Sequence, residues 1–135
     1  MRLVQKAWNE FARENKVEAA RILAAVDKKF RIGNTGFTKI TMALNNPTPV
    51  HHDRGNFGIT ALFELCTTDI VSGDHVFMDN NTVYMFKPRD GTLFLGPYKY
   101  LRHANMATAK GARWICTAYT SEDVVKWCAR QPAKA

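Results

Sequence analysis

His51 and Asp53 stand two residues apart, a spacing that in extended backbone sends both side chains from one face and lets an imidazole and a carboxylate reach a single ion. Pro47 and Pro49 stiffen the approach to the pair. Two ligands do not hold a catalytic metal, so a third must come from elsewhere in the chain, and His103 at the end of a later strand is the candidate. Two imidazoles and one carboxylate on one side of an ion leave positions open for a bidentate organic acid and for oxygen. Arg113 opens the last apolar run, where a lone charge is costly to bury unless an acid meets it. A guanidinium grips a carboxylate through two parallel hydrogen bonds, which suits a dicarboxylate cosubstrate. Singly these signals are weak, because H-x-D often arises by chance and an isolated histidine is more often a core or surface residue. Order and spacing carry the weight: H-x-D ahead of a series of strands, a histidine at their far end, then a basic residue on the last one.

The elements that must bring these residues together follow from periodicity. From Leu3 to Phe30 apolar residues recur at helical spacing, predicting two amphipathic helices broken at Asn15, with Glu18 completing a capping box. Trp8, Phe11 and Trp127 read as a cover over one sheet. After Gly33 and Gly36 the pattern changes to short alternating runs separated by turn residues: 37–44, 57–65, 76–78, 82–86, 92–95, 98–103 and 112–119. Phe57 to Leu65 reads as a half-buried strand with one apolar face, and Asp79-Asn80-Asn81 suits a tight hairpin. Thr120 or Ser121 caps a final helix. Strands without intervening helices predict an α+β, mainly β fold: a double-stranded β-helix, or jelly roll, with helices packed on one sheet. The expected division is one domain over 1–135, with a helical cover over 1–32, the β core over 37–119 and the C-terminal helix over 120–131.

At 135 residues the chain has the length of one domain, and 46% hydrophobic with 23% charged residues is the profile of a globular protein. Nineteen basic against twelve acidic residues give +7, a balance that attracts anionic partners at long range. Arg13, Lys16, Arg21, Lys28, Lys29 and Arg31 concentrate this charge near the N-terminus, as a solvated helix face or a phosphate contact. Three cysteines, Cys66, Cys116 and Cys128, form no close pair, which argues against a disulfide framework or thiolate zinc site and for a reducing, intracellular compartment. No apolar run of membrane-spanning length is present. His52 reads as an exposed loop histidine, His75 as packed in its strand, and Cys116 as a small buried hydrophobe.

His51-x-Asp53, Gly73-Asp74-His75-Val76-Phe77, Asp90 to Gly96, His103 and Gly111-Ala112-Arg113-Trp114 together resemble the double-stranded β-helix core of the iron(II)/2-oxoglutarate dioxygenases, over about 37–119. The resemblance implies an oxidoreductase in which His51, Asp53 and His103 ligate Fe(II) and Arg113 pairs with the far carboxylate of 2-oxoglutarate. Within that superfamily, His51-His52-Asp53-Arg54-Gly55-Asn56 is similar to the H-x-D-x-x-N pattern of the TET/JBP branch, which oxidises the methyl group of 5-methylpyrimidines in DNA. This implies a methylated base in nucleic acid as substrate, Asn56 as its contact, DNA as partner, and the nucleus among the compartments that fit. Asn56 also reads as a turn residue after the metal loop. One departure is Ile115, where the family often has a small hydroxyl residue two positions after the arginine; Asn45, Thr117 or Tyr119 are the replacements to consider. A protein or small-molecule substrate, and a jelly-roll binding module without catalysis, are the competing readings.

Overall fold

In the computed structural model, residues 2–132 are described. Helices α1 (Arg2–Glu14) and α2 (Lys16–Ala25) precede ten strands, and α3 (Glu122–Arg130) follows them. The break at Asn15 is as expected, but the capping box does not form. Asn15 makes no side-chain cap; its amide instead donates back to the Phe11 carbonyl at 3.3 Å. Glu18 is drawn away by Arg21, with contacts of 2.7 and 2.6 Å.

The strands are β1 (Lys39–Leu44), β2 (Thr48–His51), β3 (Asn56–Cys66), β4 (Val71–Ser72), β5 (His75–Asp79), β6 (Thr82–Phe86), β7 (Thr92–Gly96), β8 (Arg102–Asn105), β9 (Thr108–Lys110) and β10 (Arg113–Ser121). One antiparallel sheet runs β1-β10-β3-β7 and faces a second, β2-β8-β5-β6, while β4 and β9 form a small separate ladder. Two four-stranded antiparallel sheets face to face are the jelly roll that the strand spacing predicts. The hairpin of β5 and β6 turns at Asn80 and Asn81, with Asn80 at φ 49°. The expected run from Tyr98 divides: Tyr98–Leu101 is a turn in which Tyr100 and Leu101 N–H groups both donate to the Pro97 carbonyl, and β8 starts at Arg102.

α1 and α2 cover the outer face of the first sheet, burying Val4, Ala7, Trp8, Phe11, Ala19 and Ile22 against Phe37, Ala61, Phe63 and Ala118. Each large apolar side chain so buried stabilises the fold by about 1.5–3 kcal/mol. Trp127 is not part of this cover. It is 43% exposed and meets Phe30 edge-on at 5.1 Å, outside the sheet. β3 also departs from expectation, because both its faces are buried: Ala61 and Phe63 lie under the helices, while Thr60, Leu62 and Glu64 are buried as well. Its central place between β10 and β7, with helices on one side and the second sheet on the other, is the reason. Near its start the pairing with β10 slips, Thr60 facing Tyr119 but Phe57 facing Thr120. Gly58, at φ +71°, takes up this bulge, and Ile22 Cδ1 would lie 2.6 Å from any Cβ there.

Candidate metal centre

β2 and β8 are antiparallel neighbours in the second sheet, and their register sets His51 directly opposite His103. The two imidazole centroids are 4.2 Å apart. β2 ends at His51, so Asp53 comes from the loop that follows. Its N–H donates to the Tyr98 carbonyl at 3.1 Å, and its own carbonyl accepts the Asn56 N–H at 3.0 Å. Asp53 Oδ1 then lies 3.3 Å from His51 Nε2 and 3.4 Å from His103 Nε2. Two ligands each about 2.1 Å from one ion, at right angles, stand roughly 3 Å apart. The three donor atoms, all within 4.8 Å of one another, therefore need only small adjustments to share an ion.

The protonation pattern fits as well. His51 Nδ1 lies 2.7 Å from the Pro49 carbonyl and His103 Nδ1 lies 2.8 Å from the Leu101 carbonyl. A carbonyl only accepts, so each Nδ1 carries a hydrogen, which leaves each Nε2 as the nitrogen that could ligate an ion beside Asp53. Such backbone anchoring is how metal-ligating histidines are held in tautomer and orientation. Burial pulls the His103 imidazole down, but its hydrogen bond to Asp53, its bond to the Leu101 carbonyl and the Asp53 charge together lift it above the ordinary histidine range. The site thus favours a positive charge between these groups, which a bound cation supplies in place of a proton. The donor set of two imidazoles and one carboxylate suits a divalent transition metal.

The triad borders a cavity of about 460 Å³ between the two sheets, in the size range of small-molecule sites. Lys39, Thr41, Asn46, Thr117 and Tyr119 line it from the first sheet and the β1–β2 connection, and Thr48 and Asn105 from the second. Lys39 and Arg54 are the lining cations, and both are exposed. Neither side chain forms an ion pair among the described residues.

The other expected residues are placed differently. Asn56 borders the cavity but is only 6% exposed, its amide nitrogen donating to Thr60 Oγ1 at 2.8 Å and to Asp53 Oδ2 at 3.3 Å. Arg113 does not border the cavity; its guanidinium is bound by Glu64. Of the replacements considered for Ile115, Thr117 and Tyr119 line the cavity, as does Ile115 itself, whereas Asn45 is spent on Gly111 and Arg113 backbone. His52 is exposed and His75 fully buried.

Sequence reading missed Glu64, Tyr98 and Asn105. Asn105 Oδ1 accepts from His75 Nδ1 at 2.8 Å, which leaves His75 Nε2 to accept the Tyr98 hydroxyl at 3.2 Å. Burial pushes the His75 imidazole down to about 4, so it is neutral, as this tautomer requires. Burial and the nearby Asp53 charge push the Tyr98 phenol up, keeping it a donor. One available signal was Glu64 itself, an acid inside an apolar strand that needs a buried cation as much as Arg113 needs an acid.

The fold and this constellation define a double-stranded β-helix protein with a candidate two-histidine, one-carboxylate metal site. No protein-family model and no curated protein matches the chain. Among solved structures it is similar to NgTET1 in complex with 5mC DNA, with a TM-score of 0.65 and 11% identity, over 78% of this chain and 42% of that one. The likeness establishes the fold, and the chain spans less than half of that neighbour's length.

Proposed function

We propose that this chain is an iron(II)- and 2-oxoglutarate-dependent oxygenase acting on a methylated base, of the 5-methylcytosine type, in DNA. The observation that carries the metal assignment is the convergence of His51 Nε2 and His103 Nε2 on one oxygen of Asp53, with both Nδ1 hydrogens committed to backbone carbonyls. Iron(II), when bound, supplies the electron-transfer and oxygen chemistry that no side chain performs. The residues of the chain supply the rest. His51, Asp53 and His103 would hold the ion at the edge of the cavity, whose volume has room for an acid cosubstrate and a substrate.

The substrate reading rests on three supports. Lys39 and Arg54 place free positive charge where the cavity meets solvent, suited to phosphates flanking an inserted base. The net charge of +7 favours association with a polyanion. The structural neighbour is a complex with 5mC DNA. Asn56 belongs to this proposal less as a base contact than as the group that holds Asp53, because its amide nitrogen is already satisfied.

Anaerobic reconstitution with iron(II) tests the reading first. One iron per chain is expected in the wild type and none in Asp53→Ala. The loaded protein, given 2-oxoglutarate and air, should then yield succinate and an oxidised methyl group on a 5-methylcytosine oligonucleotide. Absence of iron uptake overturns the enzyme reading in favour of a binding module. Succinate formation without any product on DNA overturns the substrate and leaves the oxygenase.

A further inference from the structure

Behind the triad lies an ion pair that the chemistry above does not use. Arg113 and Glu64 side chains are 2% and 1% exposed. Arg113 Nε and Nη2 both donate to Glu64 Oε2, at 2.8 and 2.6 Å. The other carboxylate oxygen, Oε1, accepts the Arg89 N–H at 2.6 Å. Arg113 Nη1 donates to Asn105 Oδ1 at 3.3 Å, and Asn105 Nδ2 donates onward to Thr48 Oγ1 at 3.2 Å. Asn105 and Thr48 border the cavity, whereas Arg113 and Glu64 do not. A layer of neutral groups therefore separates the guanidinium from the cavity, and its charge is already cancelled.

A ligand carboxylate that took Arg113 for itself would have to displace Glu64. Opposite charges this deep attract strongly, and parting them leaves one uncompensated in a weakly polarisable surrounding. Glu64 is also fixed in place, on a central strand between β10 and β7 and with Oε1 held by the Arg89 N–H. The cations that do border the cavity, Lys39 and Arg54, are solvent-exposed and lie away from Asn105 and Thr48 in the sheets: Lys39 pairs with Tyr119, toward the far end of β10 from Arg113.

Resting on the oxygenase reading, we propose that Glu64 sets cosubstrate selectivity: by neutralising Arg113 it makes this end of the cavity indifferent to a second carboxylate. A 2-oxo acid is then recognised by the end that meets the metal, and a five-carbon acid lacking the far carboxylate, 2-oxopentanoate, binds as well as 2-oxoglutarate. Glu64 is a specificity-determining residue that acts through Arg113, without touching either acid.

Calorimetric titration of the manganese(II)-loaded protein with the two acids tests this without turnover. Dissociation constants within threefold of each other are expected, and a preference above tenfold for 2-oxoglutarate overturns the proposal. Glu64→Gln frees the guanidinium and should tighten 2-oxoglutarate at least tenfold while leaving 2-oxopentanoate unchanged; unchanged or weaker 2-oxoglutarate binding by the folded variant also overturns it. Should that variant fail to fold, Glu64→Gln combined with Arg113→Gln removes both charges and should keep the wild-type ratio. Selective loss of 2-oxoglutarate by the double variant would mean that Arg113 holds the cosubstrate. Binding of neither acid by metal-loaded wild type removes the oxygenase reading itself, an outcome separate from any ratio.

Discussion

Asn56 Nδ2 lies 3.3 Å from Asp53 Oδ2, the carboxylate oxygen that the two histidines do not face. The amide thereby fixes the plane of the carboxylate, with Thr60 Oγ1 at 2.8 Å bracing the same nitrogen. Losing such an outer partner lowers metal affinity by about 10–100-fold. Asn56→Ala is expected to weaken iron(II) or manganese(II) binding within that range, measured by competition with a chelator. Unchanged metal affinity with a raised KM for DNA would instead make Asn56 a base contact.

Metal binding should be visible in stability, since a ligand that binds only the folded state adds about 2.7 kcal/mol at a hundredfold excess over Kd. For a chain of this length that corresponds to roughly 10 °C in Tm. Differential scanning calorimetry with and without manganese(II) should show this rise in the wild type and none in His103→Ala. An equal rise in both would place the ion elsewhere.

His75 makes stability depend on pH. An unfolded imidazole takes up a proton near 6.5, whereas burial holds folded His75 neutral down to about 4. Between those values the unfolded chain binds more protons, so stability rises with pH and is lost on acidification from about 6.5 to about 4, by up to about 3 kcal/mol. His75→Gln should flatten that part of the difference curve, read from urea unfolding at pH 7 and pH 4.5. A parallel loss in variant and wild type would assign the acid sensitivity to other groups.

The Arg113–Glu64 pair predicts strong non-additivity. Arg113→Ala or Glu64→Ala alone leaves a buried charge without its partner and should cost about 3–5 kcal/mol. Arg113→Met with Glu64→Leu removes both and should cost markedly less than the two single changes together. Chemical denaturation of the four proteins gives the coupling, and additive effects would show the pair to be weak.

Much of this protein is determined locally. Periodicity alone separates the helical cover from the strands, because a period near 3.6 and a period of two cannot be confused over such lengths. Asn80-Asn81 specifies its hairpin through tolerance of positive φ, whereas the H-x-D spacing only brings the pair near each other: β2 ends at His51, and Asp53 is set by a loop whose N–H bonds to the distant Tyr98 carbonyl. His51 and His103 meet because β2 and β8 are neighbours, a pairing that depends on sheet order and has no trace in either segment. Asn15 and Glu18 show the converse: a local capping pattern gave way because Arg21 offered Glu18 a charged partner. Arg113 is the sharpest case. Its place in an apolar strand says that an acid must meet it; in the structure the chain's own Glu64 does so, brought within reach by the register of β3 beside β10, which only the tertiary structure contains.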